Sequence, residues 1–298
     1  MSSRGGGGRG RGRGRGGGRG PLPRDVQVSK KMSKILRHAA AEEGLTLGPG
    51  GYVSVKELLE SRTLRSMKVS FDEIRSIVAS NEKQRFNLIP ASFDASPDSN
   101  DPSSFLIRAN QGHSVEVDNS GLLEPLTLDN ESEWPSMVVH GTTAAAWSSI
   151  LASGGLKKMN RNHIHFAAGL PAGFSTLESS ESDSSAQNIS NVDSVQEEAT
   201  KEATKEATKE ATKEATKEAQ PDRKNPPVIS GMRNSSTILI YVDFRRALAA
   251  GIPFHRSANN VILSEGQGKD GLFPFEFFKR VEDRKRRRIL VQDGKVLS

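Results

Sequence analysis

Arginine and histidine recur in this chain within short strings that also carry turn glycines. Arg37 and His38 are adjacent in KILRHAA, Arg108 and His113 lie in IRANQGHSVEV, His140 opens HGT, and Arg161 precedes His163 and His165 in NRNHIHFA. Guanidinium forks match phosphate oxygens, and imidazole exchanges protons near neutral pH. Gly141, next to His140, would let a ligand approach the backbone closely. In a strand, His163 and His165 share one face while Ile164 and Phe166 share the other. Paired histidines on a strand face also resemble half a metal site. Neither an HExxH nor a carboxylate at familiar ligand spacing accompanies them, so no metal is expected. A P-loop and a GxSxG elbow are absent, and no carboxylate pair stands out. The set therefore favours a phosphate-rich substrate over a glycosidic or peptide one. Each residue also has an ordinary reading: Arg37 as a surface ion-pair former, Arg108 and His113 as strand-end and turn residues, His140 as a core histidine.

The elements that must position these residues are legible from periodicity. Met32, Ile35 and Leu36 fall at helical spacing around Arg37, and Gly44 is placed to end that helix. GGYVSVKELLES reads as a short strand and a helix with Val55, Leu58 and Leu59. Phe71, Ile74, Ile77 and Val78 predict another helix, while RFNLI and SFLIRA read as strands either side of a polar loop. A second unit begins near Leu122. MVVHGT, HIHFA, STILIYVDF and NVILSEG are strands, and AAAWSSILASGGL is a helix with Trp147, Ile150 and Leu151 on one face. Helices and strands interleaved in this way predict an α+β architecture.

Composition separates the folded part from the rest. Hydrophobic content is 34% and aromatic content 5%, too little to pack all 298 residues into cores. Residues 1–24 hold seven arginines and no acidic residue, so the net charge of +6 belongs to that tail and the remainder sums to −1. An Arg/Gly tail of this kind is expected to be disordered and to bind RNA loosely. Between about 172 and 227 a serine-rich stretch and a tandem KEAT repeat carry no apolar face and read as an insertion. The expected organisation is a tail over 1–24, one lobe over 25–120 and a second over 121–298. The absence of cysteine, of a long apolar run and of an apolar leader predicts an intracellular protein, in nucleus or cytoplasm, without membrane attachment. A basic run, KRVEDRKRRR, near 279–288 reads as extra RNA surface, a nuclear address or a solvated end.

As an ordered set, KILRHAA, YVSVKELL, IRANQGHSVEV, VVHGT, NRNHIHFAAGLP, ISGMRNSSTILIYVDFRRAL, GIPFHRSANNVIL and FPFEFF resemble the tRNA 2′-phosphotransferase family. The resemblance covers most of residues 28–280 apart from the polar insertions. It implies an N-terminal winged-helix RNA lobe and a C-terminal lobe of ADP-ribosyltransferase type. It also implies transfer of the internal splice-junction 2′-phosphate of tRNA to NAD, the last step of tRNA splicing. The products would be 2′-hydroxyl RNA, ADP-ribose 1″,2″-cyclic phosphate and nicotinamide. By motif match, Arg37, His38, Arg108 and Arg161 take the catalytic positions. His140, Gly141, Thr142, His165, Arg233, Arg256, Ser257 and Asn259 take positions around NAD. One departure is the insertion that splits HIHFAAGLP from ISGMR. The alternatives are ADP-ribosylation of nucleic-acid phosphate ends with NAD, and a non-catalytic RNA-binding protein.

Overall fold

The computed structural model describes residues 21–94, 96–177 and 230–297. The Arg/Gly stretch over 1–20 and the Ser-rich and KEAT stretch over 178–229 lie outside the described residues.

The chain enters through α1 (Arg24–Lys34). This helix claims the last residue assigned from sequence to the tail, because the Arg24 guanidinium reaches the Glu73 carboxylate at 2.8 Å and so has a folded partner. Val28 and Met32 are buried, and Ile35 and Leu36 continue their apolar stripe. The backbone does not stay α-helical, however. Ile35–Ala39 forms a π turn and Ala41–Glu43 a 3-10 turn. Gly44 then stops the run with a φ of 79°, a conformation open to a residue without Cβ. Apolar spacing finds the buried face of this segment but not the change of winding, since a π turn leaves the local pattern nearly intact.

Next come β1 (Val53–Ser54), α2 (Val55–Glu60), α3 (Arg62–Ser66), α4 (Phe71–Ser80), β2 (Phe86–Pro90) and β3 (Phe105–Ala109). The three strands form an antiparallel sheet with β3 in the middle. Ile107 of β3 packs with Met32, Leu58 and Ile74, which closes one core.

The second part contains β4 (Leu123–Leu126), β5 (Val139–Thr142), α5 (Ala144–Ala152), β6 (Gly155–Lys157), β7 (Ile164–Ala167), β8 (Ile238–Val242), α6 (Phe244–Ala249) and β9 (Phe254–Ser257). It ends with β10 (Val261–Ser264), β11 (Leu272–Pro274), β12 (Phe278–Asp283), β13 (Arg288–Gln292) and β14 (Lys295–Val296). Nine of these strands form one antiparallel sheet in the order β14-β13-β12-β8-β5-β7-β10-β9-β4, while β6 and β11 pair separately. β8 is buried along its whole length. Its Ile238, Ile240 and Val242 join a large core with Phe166, Phe254, Phe273 and residues of α5 and α6. Leu239 and Tyr241 meet Val139, Ala167 and Met232 on the opposite face.

The strands expected at MVVHGT, HIHFA, STILIYVDF and NVILSEG are present as β5, β7, β8 and β10, in a mixed α+β molecule. The short α3, α6, β4, β9 and the terminal strands were not expected. They carry too few residues for a periodic signal and are held by neighbours rather than by local pattern. No described helix is long and apolar enough to cross a membrane.

Candidate active site

The loop that follows β3 joins the two cores. On one side, Ser114 donates its backbone N–H to the Arg37 carbonyl at 3.0 Å, and its hydroxyl meets His38 Nδ1 at 2.9 Å. On the other, Asn162 donates its backbone N–H to the His113 carbonyl at 2.9 Å and its side-chain amide to the Val115 carbonyl at 2.8 Å. Gln111 Oε1 accepts from His165 Nε2 at 2.8 Å. Gly112 has a φ of 88° and lies against the Arg37 guanidinium. One short loop therefore fixes the π turn bearing Arg37 and His38 relative to the segment bearing Arg161, His163 and His165. π turns of this kind recur at functional sites.

The charges so assembled are of one sign. Arg37 is deeply placed, and its Nε and Nη2 are buried with no hydrogen-bond partner among the described residues. Burial, then the neighbouring Arg85 and Arg161 guanidiniums, push its pKa down to about 10. Burial and Arg233 lower Arg161 as well. His38 is lowered by partial burial and by Arg37, Arg161 and Lys34. Burial followed by Arg37 and nearby imidazoles takes His113 to about 4, and burial followed by Arg161 takes His165 to about 3. All of these histidines are neutral near pH 7. The arginines supply the positive charge, and the imidazoles are left as neutral donors and acceptors.

A cavity of about 460 Å³ opens beside Arg161. His140, Gly141, Thr142, His163, His165, Arg233 and Lys158 are among its lining residues, and among the described residues no aspartate or glutamate lines it. His140 Nδ1 contacts the His165 carbonyl at 2.8 Å, and a carbonyl only accepts. Nδ1 therefore carries the proton and Nε2 is left as an acceptor. Burial lowers the His140 pKa, partly offset by that carbonyl, which maintains this tautomer. Among the described residues His163 Nε2 is buried without a hydrogen-bond partner, with the Glu265 carboxylate 3.7 Å away. A second hollow of about 600 Å³ adjoins Arg37 and is lined by Lys30, Lys83 and Arg85 together with the acids Asp25 and Glu82.

The remaining residues expected at the site sit elsewhere. Arg108 lies over the Tyr52 ring at 4.6 Å, and its Nη1 donates to the carbonyls of Gly50 at 3.2 Å and Gly121 at 2.9 Å. It is close enough to depress His113 but does not line the cavity. Arg256 turns to Glu133, donating to its backbone carbonyl. The Ser257 hydroxyl bonds Asn259 Oδ1 at 2.9 Å, and Asn259 Nδ2 donates to the Lys83 carbonyl at 3.0 Å. These three residues do not line the cavity, and Asn259 bridges the two parts of the molecule. The reason for Gly141 also differs from the sequence reading. A Cβ there would lie 2.2 Å from Met232 Cγ and 2.6 Å from Ser236 Oγ, so the protein's own 231–236 segment makes the close approach.

A family model described as RNA 2′-phosphotransferase, Tpt1 / KptA family, matches residues 23–266. The tRNA 2′-phosphotransferase 1 of Bos taurus is 35% identical over 256 residues, covering 86% of this chain and 74% of the relative. That of Homo sapiens is 35% identical over 272 residues, covering 91% and 81%. The tRNA 2′-phosphotransferase of Saccharomyces cerevisiae is 37% identical over 149 residues, covering 49% and 60%.

The chain belongs to the RNA 2′-phosphotransferase family.

The residues matched to the RNA 2′-phosphotransferase model include the whole cationic cluster and stop before β11. Within this family frame, sequence reasoning missed Gln111, Ser114, Asn162, Arg85 and Lys158. Gln111 and Asn162 stand inside the motif strings already singled out, which was their only signal. Arg85 and Lys158 had none, because their contribution is proximity.

Two outcomes follow from this geometry. Gly141→Ala should overpack the 231–236 segment, cost about 1–3 kcal/mol in urea denaturation and loosen Arg233. A stability equal to the parent would contradict the close contact. Folding lowers His113 from 6.5 to about 4, so the unfolded chain binds its proton first as pH falls. Stability should be full above about pH 6.5 and decline below it, by up to about 2 kcal/mol at pH 5 from His113 alone. His113→Gln should flatten that decline, and an unchanged slope would argue against a buried neutral His113.

Proposed function

We propose that this protein removes an internal 2′-phosphate from RNA, the splice-junction phosphate of tRNA, and passes it to NAD. The products are 2′-hydroxyl RNA, ADP-ribose 1″,2″-cyclic phosphate and nicotinamide. The observation that carries this reading is the meeting of Arg37 and Arg161. They come from different parts of the chain, each is desolvated, and the charge of Arg161 lowers the pKa of Arg37. Family membership and the names of the relatives support the same substrate chemistry.

In this reading, residues 25–120 are a winged-helix RNA lobe and 121–298 an ADP-ribosyltransferase-type NAD lobe. Helices leading into a small antiparallel sheet support the first assignment. A large antiparallel sheet with a polar, cation-lined cavity beside β5 and β7 supports the second.

The cavity residues fit a dinucleotide. At about 460 Å³ the space is of ordinary size for a small-molecule site, which usually spans about 300–1,000 Å³. Lys158, Arg161 and Arg233 suit the phosphates, and the buried unpartnered His163 Nε2 and the free acceptor on His140 suit polar groups of the ligand. NAD, when bound, supplies an anomeric carbon with a neutral leaving group. His140 orients it through Nε2, while Thr142 and Gly141 form the wall behind it.

The protein's own work is then positioning and charge management. A phosphate monoester has a second pKa near about 6 and is mostly a dianion at neutral pH, so no general base is needed to make it a nucleophile. Arg37 and Arg161 hold its oxygens. Two unpartnered nitrogens of Arg37 give that residue donors to offer. His38 is held through Ser114 and stands exposed at the cluster's edge. There its neutral imidazole can take the proton of the ribose hydroxyl that attacks phosphorus and pass it to the RNA 2′-oxygen as the P–O bond to that oxygen breaks. Arg108 adds charge behind His113 and holds the Gly50 and Gly121 turns in place.

The defining experiment incubates the full chain with a short RNA carrying one internal 2′-phosphate, with and without NAD, and follows both reactants by mass spectrometry. The expected result is NAD-dependent phosphate loss with an equal yield of ADP-ribose cyclic phosphate. An RNA that keeps its phosphate would overturn the proposal, and an accumulating ADP-ribosylated RNA would reassign the chain to a transfer that stops half-way. Arg37→Met and Arg161→Met should each lower the rate by about 10²–10³-fold, the scale of losing one preorganised donor. Arg37→Met should also melt no lower than the parent, because it removes a buried charge that has no partner. A coupled fall in stability and activity would mark Arg37 as structural.

A further inference from the structure

The strongest charged feature outside the site is the turn between β12 and β13. Arg284, Lys285, Arg286, Arg287 and Arg288 are consecutive, and Lys285–Arg288 are exposed. The run lies beyond the residues that the family model matches. Its backbone is firmly set: Asp283 pairs with Ile238, and the Arg284 N–H donates to the Thr237 carbonyl at 2.9 Å. Arg284 stacks 3.7 Å over the Phe174 ring, and Arg287 takes a φ of 53° to close the turn. Asp283 is buried and accepts from the Arg286 N–H at 3.0 Å, with Arg286 Nη1 3.8 Å from its other oxygen. Lys285 and Arg287 instead border a hollow of about 430 Å³ with Asn234, Ser235, Ser236 and Arg284. Among the described residues no carboxylate lines it. Ser235 and Ser236 also line the cavity beside Arg161.

Strand register places this turn relative to the cluster. Thr142 pairs with Ile238, which pairs with Asp283, so the turn rises from the sheet edge where Thr142 lines the cavity. β12 is three strands from β7, and at roughly 4.8 Å per strand that is about 15 Å. Such a distance is about four stacked nucleotides at ~3.4 Å each. A very short RNA whose phosphate reacts at Arg37 and Arg161 does not extend that far, whereas a folded RNA does.

We propose that the β12–β13 turn is a second RNA contact, gripping backbone phosphates of a structured substrate away from the reacting phosphate. The inference rests on the function proposed above. RNA is favoured over a protein reader of basic segments because the run is bent back in a tight turn, with Arg284 and Arg286 already engaged. The Ser235–Ser236 ridge also makes it continuous with the candidate active site.

The test compares the full chain with the double variant Lys285→Ser/Arg287→Ser, leaving Arg284 and Arg286 in place and confirming equal melting temperatures. Both act on full-length tRNA with a 2′-phosphate and on a trinucleotide with the same junction. The expected result is a KM for tRNA raised roughly tenfold at about 50 mM salt, with kcat unchanged and the trinucleotide unaffected. The slope of log KM against log salt should also shrink by about 1 to 2, as two lost phosphate contacts require. Equal KM values for tRNA, or equal losses on both substrates, would overturn the proposal. An unchanged tRNA KM with lost nuclear accumulation in cells would reassign the run to a transport receptor. If the parent turns over neither substrate, the functional reading fails separately, and tRNA affinity by anisotropy still decides for or against the turn.

Discussion

The structure depends on an imbalance of charge: Arg37, Arg85, Arg161 and Arg233 converge, and no described carboxylate is close enough to neutralise Arg37. Placing an unpaired guanidinium out of water costs several kcal/mol, and a second one nearby adds repulsion. A protein selected only for stability would have supplied an acid. Here burial and like charge together bring Arg37 to a pKa of about 10, still protonated near neutrality, with two nitrogens unpartnered. A dianionic phosphate removes the repulsion and supplies the missing acceptors in one step. In the proposed function, the same feature that weakens the empty protein is what favours the phosphate.

Such an arrangement holds only if the opposing arginines cannot drift apart, and the hydrogen bonds across the junction prevent this. His165 to Gln111, Asn162 to His113 and Val115, and Asn259 to Lys83 are bonds between uncharged groups. Each contributes about 1 kcal/mol net, too little individually to balance the repulsion. Their value is directional. Those from β7 and the segment before it converge on the 110–115 loop, while the one from the turn after β9 reaches Lys83 ahead of β2, and together they resist separation along several directions. Ser257 and Asn259 serve the site through that framework rather than by facing the cavity, which explains how residues of a motif string can sit away from the ligand space.

What was legible in the sequence follows the range of each interaction. Met32, Ile35 and Leu36 declared a buried helical face because their spacing is local, and Ile164 and Phe166 declared the inner face of β7 for the same reason. The π turn was not legible, since one added residue per turn leaves the apolar stripe intact. Arg24 reads as the end of an Arg/Gly tract until Glu73, distant in sequence, becomes its partner. Gly141 was noticed for the right reason, close approach, but the approaching group was assigned to a ligand when Met232 and Ser236 occupy that space. Arg37, Arg108 and Arg161 were singled out by type and motif. Only the three-dimensional structure separates Arg108, already bonded to two carbonyls, from Arg37, which is not.

The position of Glu265 bears on why the cavity beside Arg161 excludes acids. This carboxylate approaches His163 Nε2 at 3.7 Å but is itself about half exposed, so it is well hydrated and acts from outside the cavity wall. It raises the His163 pKa against the stronger downward effect of burial. Moved a few ångströms inward, the same group would pair with Arg161, satisfy its donors and leave a neutral pocket. In the proposed function a phosphate that arrives already ionised needs no base to act as the nucleophile, so such an acid would add nothing to that step and would compete with the substrate for the arginines. In the proposed function an anionic nucleophile has no need of a carboxylate pair, so a cavity lined among the described residues by cations and imidazoles alone fits an enzyme of this kind.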